Sequence, residues 1–473
     1  MSTMSRRKYN RRNFLSDMGK ACTGMGATAF LSGLTNLGLM NAAAAANRSL
    51  FRPKNDYKAL VCILLHGGND SYNMLMPRGV DEHAGYAEIR REAAIPREDI
   101  LPITALNPDG KEYGVHPNLP GIKDLFDQRK LSFIANVGTL VRPISMNDFR
   151  LGKHLPKRIF SHSDQQEQWQ TSMPDRDSLT GWSGRMADIL RYNNTNQNIS
   201  MNISLAGMNL YQQGANITPM AINANGTGVT LINGSTNMGF YESLKRQTLD
   251  NLMENTYQNI LHQAYTHKIK SSKSNSFEFD AIISNTPEIS TPFPNHYFSN
   301  NLKMVARTIA ARDALGVTNQ TFFVQIGGFD NHGSYQQHFT RMAEVNQAIT
   351  AFYQSLVDLG VEDNVVTFTI SDFARTLAPN GQGVDHAWGG NAMVMGGAVD
   401  GGKIFGQYPD LYKDGHPLDV GRGRLIPTTS VDEYFADLAL WFGASRADID
   451  QILPNIGNFW EPASGGAPLG LMR

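Results

Sequence analysis

Four short stretches of the chain are apolar without interruption and bounded by glycine or polar residues: Leu60 to Leu65, Leu131 to Ala135, Phe322 to Ile326 and Val365 to Ile370. A strand with one face in water alternates apolar and polar positions, whereas one covered on both faces has no such constraint. These four therefore read as buried parallel strands. Between the last two, Met342, Val345, Ile349, Phe352, Leu356 and Leu359 recur at three- and four-residue steps, which predicts a helix from about Gln336 to Leu359. Another helix is predicted over about Leu302 to Leu315. Strand, helix, strand with short links is the order of a parallel α/β sheet.

The pattern changes between about residues 193 and 295, which read as an insert with an irregular, partly β and partly helical lobe. Asn193 to Asn237 is rich in Asn, Thr, Gly and Ser, with Ile199 to Leu205 and Val229 to Ile232 as small strands. Leu244 to Ile269 reads as helical and Lys270 to Asn295 as a polar connection. Apart from the insert, residues 47–473 are expected to form one domain.

With 473 residues, 41% of them hydrophobic, the chain can bury a large core. Its formal charge of −1 argues against a general nucleic-acid binder, which needs a clustered basic surface to displace counterions. That total is uneven. Residues 1–46 carry six basic side chains against the single acid Asp17, so the rest is acidic. Within this leader, Asn10-Arg11-Arg12-Asn13-Phe14-Leu15-Ser16 looks like a twin-arginine export signal, followed by the weakly apolar Ala21 to Met40 and the run Ala42 to Ala46. Cleavage near Ala46 is expected, with export by the twin-arginine machinery to the periplasm or beyond and no stable membrane insertion afterwards. The alternative is a retained anchor. Of the two cysteines, Cys22 lies in the leader, which leaves Cys62, inside an apolar run, as a buried inert thiol.

In open α/β sheets functional residues lie just beyond the carboxyl ends of the strands. The first strand runs into His66-Gly67-Gly68-Asn69-Asp70-Ser71, the third into Gly327-Gly328-Phe329-Asp330-Asn331-His332, and the fourth into Ser371-Asp372-Phe373-Ala374-Arg375. Val384-Asp385-His386 follows. If the strands are parallel neighbours, Asp70, Asp330, His332, Asp372 and His386 converge. Carboxylate plus imidazole is the ligand mix of a Zn or Mn site, and carboxylates alone tend toward Mg or Ca. Taken singly, each Asp reads more readily as a helix cap or Asx turn; repetition at equivalent strand ends is what points to a site. For a nucleophile the candidates are Ser71, Ser161 and Ser163, the last two within Phe160-Ser161-His162-Ser163-Asp164-Gln165, where a helix cap is the competing role. Arg375 is a candidate for holding an anionic substrate oxygen, with a structural salt bridge as its other reading.

The stretches Leu64 to Asn73, Gly328 to Gly333, Ser371 to Arg375, Asp385 to Gly390 and Gly396 to Gly402 resemble the domain-of-unknown-function 1501 family over nearly the whole chain from Lys58. The resemblance implies bacterial twin-arginine-exported proteins and an alkaline-phosphatase- or sulfatase-like, doubly wound, mostly parallel sheet. In that superfamily two divalent cations sit beside a Ser, Thr or Cys nucleophile. By this likeness Asp70 matches the ligand after the first strand, Asp330 and His332 belong to one metal, Asp372 to the other, and His386 is the late histidine. Those enzymes usually have Asp-His where this chain has Asp372-Phe373, and the lost imidazole leaves open a one-metal site, a changed metal or no catalysis. The leading expectation is a metal-dependent hydrolase of a small phosphate or sulfate ester. The rival is an inactive descendant that binds in the cell envelope. A metal-independent esterase lacks a Gly-x-Ser-x-Gly elbow.

Overall fold

In the computed structural model residues 57–224, 240–254, 258–412 and 415–473 are described. The leader and the expected strand Val229 to Ile232 lie outside the described residues. Nine strands build the main sheet: β1 Lys58–Leu65, β2 Leu131–Gly138, β3 Asn202–Ser204, β4 Met220–Ala221, β5 Asn319–Ile326, β6 Val365–Ser371, β7 Gly390–Met395, β8 Ile404–Gly406 and β9 Thr429–Ser430. Their spatial order is β8-β2-β7-β6-β1-β5-β3-β4, with β9 also on β2. β1 is central and parallel to both neighbours, with Leu65 level with Ile326 on one side and Ser371 on the other. β7 alone runs antiparallel to its neighbours β6 and β2, so the sheet is mixed and mostly parallel.

The uninterrupted apolar runs follow from burial on both faces. Along β1, Ala59, Val61, Ile63 and Leu65 enter one core, while Leu60, Cys62 and Leu64 enter another. Four helices matter most here: α1 His162–Thr171, α2 Tyr297–Ala310, α3 Tyr335–Asp358 and α4 Val431–Phe442. The first core is closed by Leu302, Val305 and Ile309 of α2 and by Met342, Val345, Ile349, Phe352 and Leu356 of α3. The second is closed by Tyr434, Phe435 and Leu438 of α4 with Trp182, whose ring stacks on Phe435. Each large aliphatic or aromatic side chain so buried contributes about 1.5–3 kcal/mol relative to exposure. Cys62 is fully covered, and burial pushes its thiol well above the ordinary range. Among the described residues no helix is long and apolar enough to cross a membrane.

The insert departs from its expected form. β3 joins the main sheet beside β5. The predicted helix Leu244 to Ile269 is two helices, Phe240–Glu254 and Ile260–Asn285, so most of the predicted polar connection is helical. Asn259 caps the second by accepting from Leu261 N and His262 N. Farther along, Phe279 and Ile283 are buried in the first core. Tertiary packing thus overrides the poor helix propensity of a Ser- and Asn-rich run.

Candidate metal centre

Beyond the carboxyl ends of β1, β5 and β6 three loops meet at distances only glycine allows. Gly67 has φ +112°, and a Cβ there would lie 2.6 Å from Asp330 N. At Gly68, φ +87°, a Cβ would lie 2.6 Å from the Phe373 ring. The loops are tied by Gly67 N–H donating to Asp372 Oδ1 at 3.0 Å and Phe329 N–H donating to the His66 carbonyl at 3.2 Å. A fourth segment, Val384 to Trp388, is held by Val384 N–H donating to Asn331 O and Ala387 N–H donating to Ala374 O. The N-terminus of α1 closes the group.

Three imidazoles point their Nε2 atoms at one place. His162 Nδ1 lies 2.6 Å from Asp372 Oδ2, His332 Nδ1 lies 2.9 Å from Asp385 Oδ1, and His386 Nδ1 lies 2.8 Å from the Phe160 carbonyl. Each of those partners only accepts, so in the neutral rings the proton sits on Nδ1 and Nε2 carries a lone pair. Asp330 Oδ1 lies 3.2 Å from Nε2 of His332, 3.6 Å from that of His162 and 3.8 Å from that of His386. The Nε2 atoms of His332 and His386 are 2.9 Å apart. His162, Asp330 and His386 each offer an atom within 4.8 Å of the others, a group that could hold a metal ion.

The donor chemistry fits a cation. Of these atoms Arg375 meets Asp330 Oδ1 at 2.6 Å and His332 Nε2 at 3.4 Å, while His162 Nε2 is buried with no hydrogen-bond partner among the described residues. Tetrahedral zinc with bonds of 2.0–2.1 Å separates its ligands by about 3.3 Å, close to the spacings here. Acceptors behind each ring supply the outer layer that orients metal-binding imidazoles.

The charges around the centre are arranged to keep it anionic and unprotonated. Partial burial pushes Asp330 up, but the hydrogen bond and charge of Arg375 outweigh it and hold the carboxyl below its ordinary range. Burial likewise pushes Asp372 up, and donation from His162, Gln166 and Gly67 outweighs that. Asp385 is raised by burial but drawn down to about 2 by Asn380, His332 and Arg422. His386 is lowered, chiefly by burial, so its neutral form is favoured.

Of the five expected ligands, Asp330, His332 and His386 meet. Asp372 stands one layer back, fully buried, accepting from His162 and from Gln166 Nε2 at 2.7 Å. Asp70 is buried elsewhere and ion-paired with Arg90, which is itself fully buried. His162 completes the set; its position beside Ser161 and Ser163 in a polar helix start was the available signal. Arg375 is fully buried, with Nε on Gly68 O, Nη1 on Val384 O and Nη2 on Gly67 O and Asp330 Oδ1. It braces the loops and faces no open space. Ser71 is buried, its Oγ accepting from Asn391 N at 2.8 Å. Ser163 is exposed. Ser161 is the N-cap residue of α1, yet its Oγ makes no cap bond and instead donates to Asp164 Oδ2 at 2.5 Å.

A family model described as "Protein of unknown function (DUF1501)" matches residues 57–452. Curated proteins give no match. Among solved structures, Ps i-CgsB in complex with k-i-k-neocarrahexaose is 10% identical, covering 82% of this chain and 72% of that one, with a TM-score of 0.34. The PsFucS1 sulfatase from Pseudoalteromonas sp. is 10% identical over 86% and 71% of the two chains, with a TM-score of 0.28. A variant of alkaline phosphatase PafA is 12% identical over 69% and 64%, with a TM-score of 0.23. At such values the chemistry of the centre rests on its own residues. With most of its length matched, the chain belongs to the DUF1501 family.

Proposed function

We propose that this protein is an exported, metal-dependent hydrolase of phosphate or sulfate monoesters. The observation that carries the reading is the convergence of three Nε2 lone pairs on Asp330, each ring held from behind by an acceptor. His162, His332, His386 and Asp330 would hold the cation, for which zinc is the best match to a nitrogen-rich set. When bound, it supplies Lewis-acid polarisation of the ester oxygens.

The protein's own residues do the rest. Asp372, Asp385 and the Phe160 carbonyl fix the ring orientations. Ser161, next to His162, is the proposed nucleophile: its Oγ bonds to phosphorus or sulfur while its proton passes to Asp164, already in hydrogen-bond contact. The ester's alkoxide leaves and takes that proton; water then cleaves the seryl ester and restores the hydroxyl. The Arg11-Arg12 leader supports export by the twin-arginine machinery.

One observation favours the second reading, an inactive cell-envelope binding protein. Arg375 Nη2, 2.6 Å from Asp330 Oδ1, places an internal cation against the centre's carboxylate. Metal analysis of the purified chain, with p-nitrophenyl phosphate and sulfate assays in added Zn, Mn or Mg, decides between them. Bound metal with turnover lost in His386→Ala and Ser161→Ala supports the hydrolase. Folded protein inert with every metal overturns it.

A further inference from the structure

The helix Ile260–Asn285 is anchored by its later turns, where Ser276, Phe279 and Ile283 are buried. Lys273 Nζ, about three and a half turns from its start, meets Asp250 Oδ1 of the preceding helix at 2.5 Å. Its first six residues, 260–265, are all exposed. Four large apolar side chains among the described residues are at least 70% exposed, and three of them are here: Ile260 at 77%, Leu261 at 73% and Tyr265 at 70%. At 3.6 residues per turn these three share one face with Ala264, and Lys268 follows one turn behind on that face. Gln263, Thr266 and Lys270 lie on the other side. An amphipathic helix ordinarily turns its apolar face to a core; this one turns it to water.

Charge narrows what could cover that face. Residues 258–277 contain three lysines and no Asp or Glu, in a chain whose residues beyond the leader are acidic overall. Lys268 and Lys270 are exposed, and their long stems let the ammonium groups reach past an apolar surface to its rim. A second copy of the chain seated here would bring the same acid-free, lysine-bearing segment and leave the charge uncompensated. An anionic lipid surface supplies both halves of the match: acyl chains for Ile260, Leu261 and the Tyr265 ring, and phosphates for the lysines. Six helical residues rise about 9 Å, against a hydrocarbon core of roughly 30 Å, so the contact is shallow.

We propose that the first turns of this helix dock the protein reversibly on an anionic lipid surface. The inference is independent of the chemistry at the metal centre. The test is sedimentation of the full chain with vesicles of equal parts phosphatidylcholine and phosphatidylglycerol, and with phosphatidylcholine alone. Two double variants, Leu261→Ser with Tyr265→Ser and Lys268→Glu with Lys270→Glu, are compared, with melting curves to establish folding. All carry the same leader, so a difference between them reads the helix. Binding to the anionic vesicles is expected, at least tenfold weaker on the neutral ones and weakened about tenfold or more in each double variant. An environment-sensitive fluorophore on Leu261→Cys, in a chain that also carries Cys22→Ser and whose Cys62 is buried, should shift to the blue on anionic vesicles. No blue shift, or vesicle binding unchanged in either folded variant, overturns the proposal. So does dimerisation abolished by Leu261→Ser with Tyr265→Ser in a chain that binds no vesicles, which would give the face to a second copy.

Discussion

Replacing Asp372 by Asn tests how the centre is held with almost no change of shape. The carboxylate is fully buried and accepts three hydrogen bonds: His162 Nδ1 at 2.6 Å and Gln166 Nε2 at 2.7 Å on Oδ2, and Gly67 N at 3.0 Å on Oδ1. An amide has one acceptor oxygen. If that oxygen stays toward His162, the amide NH₂ faces Gly67 N–H and a buried donor loses its partner. If it flips, His162 Nδ1 faces a donor and must shift its proton to Nε2, which removes the lone pair aimed at Asp330. Either way the ring loses a carboxylate behind it. Outer-layer changes of this kind typically cost 10–100-fold in metal affinity. The unpaired donor adds roughly 1–3 kcal/mol of lost stability. Zinc affinity by competition with a chromogenic chelator, and urea unfolding without metal, read the two effects separately. Affinity within about twofold of the parent, in a folded variant, refutes the reasoning. The pH dependence follows from the depressed carboxyl: its stabilisation is present above the unfolded value, about 3.9, and is lost as pH falls through the lower folded value.

Three further outcomes are expected. Arg90→Met leaves Asp70 as a buried unpaired charge and should cost about 3–5 kcal/mol in urea unfolding, most of it restored by adding Asp70→Leu; a loss below about 1 kcal/mol contradicts the buried pair. Asp385, held at about 2 in the folded protein, should give the parent an advantage over Asp385→Asn that is complete above about pH 4 and vanishes as pH falls through about 2. An advantage that grows on acidification would reverse the sign of the argument. Gly67→Ala, at φ +112° with Asp330 N in the way, should destabilise the fold by about 1–3 kcal/mol and weaken zinc binding with it; unchanged binding would mean that the β1 and β5 loops need not touch.

The central strands were legible because burial on both faces writes continuous apolar runs into β1, β2, β5 and β6. β7 was hidden: Gly390 to Met395 follows a Gly-rich turn and runs against its neighbours, and nothing in its short apolar piece marks direction. The helix through Asn285 was hidden because Phe279 and Ile283, not local propensity, hold it. At the centre, strand-end position found Asp330 and His332, and His386 was found just after. It could not assign layers. Whether Asp372 faces a metal or a histidine depends on where α1 puts His162, more than two hundred residues earlier in the chain. Asp70 was drawn into the expected ligand set because its partner Arg90, at the end of a separate helix, is brought to it only by the fold.

The most direct test of the account is anomalous diffraction at the zinc edge from crystals grown with zinc. A single strong peak is predicted about 2 Å from Nε2 of His162, His332 and His386 and from a carboxylate oxygen of Asp330, with none beside Asp70, where Arg90 already supplies the charge. A zinc-soaked crystal with no peak among those four residues, or with its zinc held at Asp70, would contradict it.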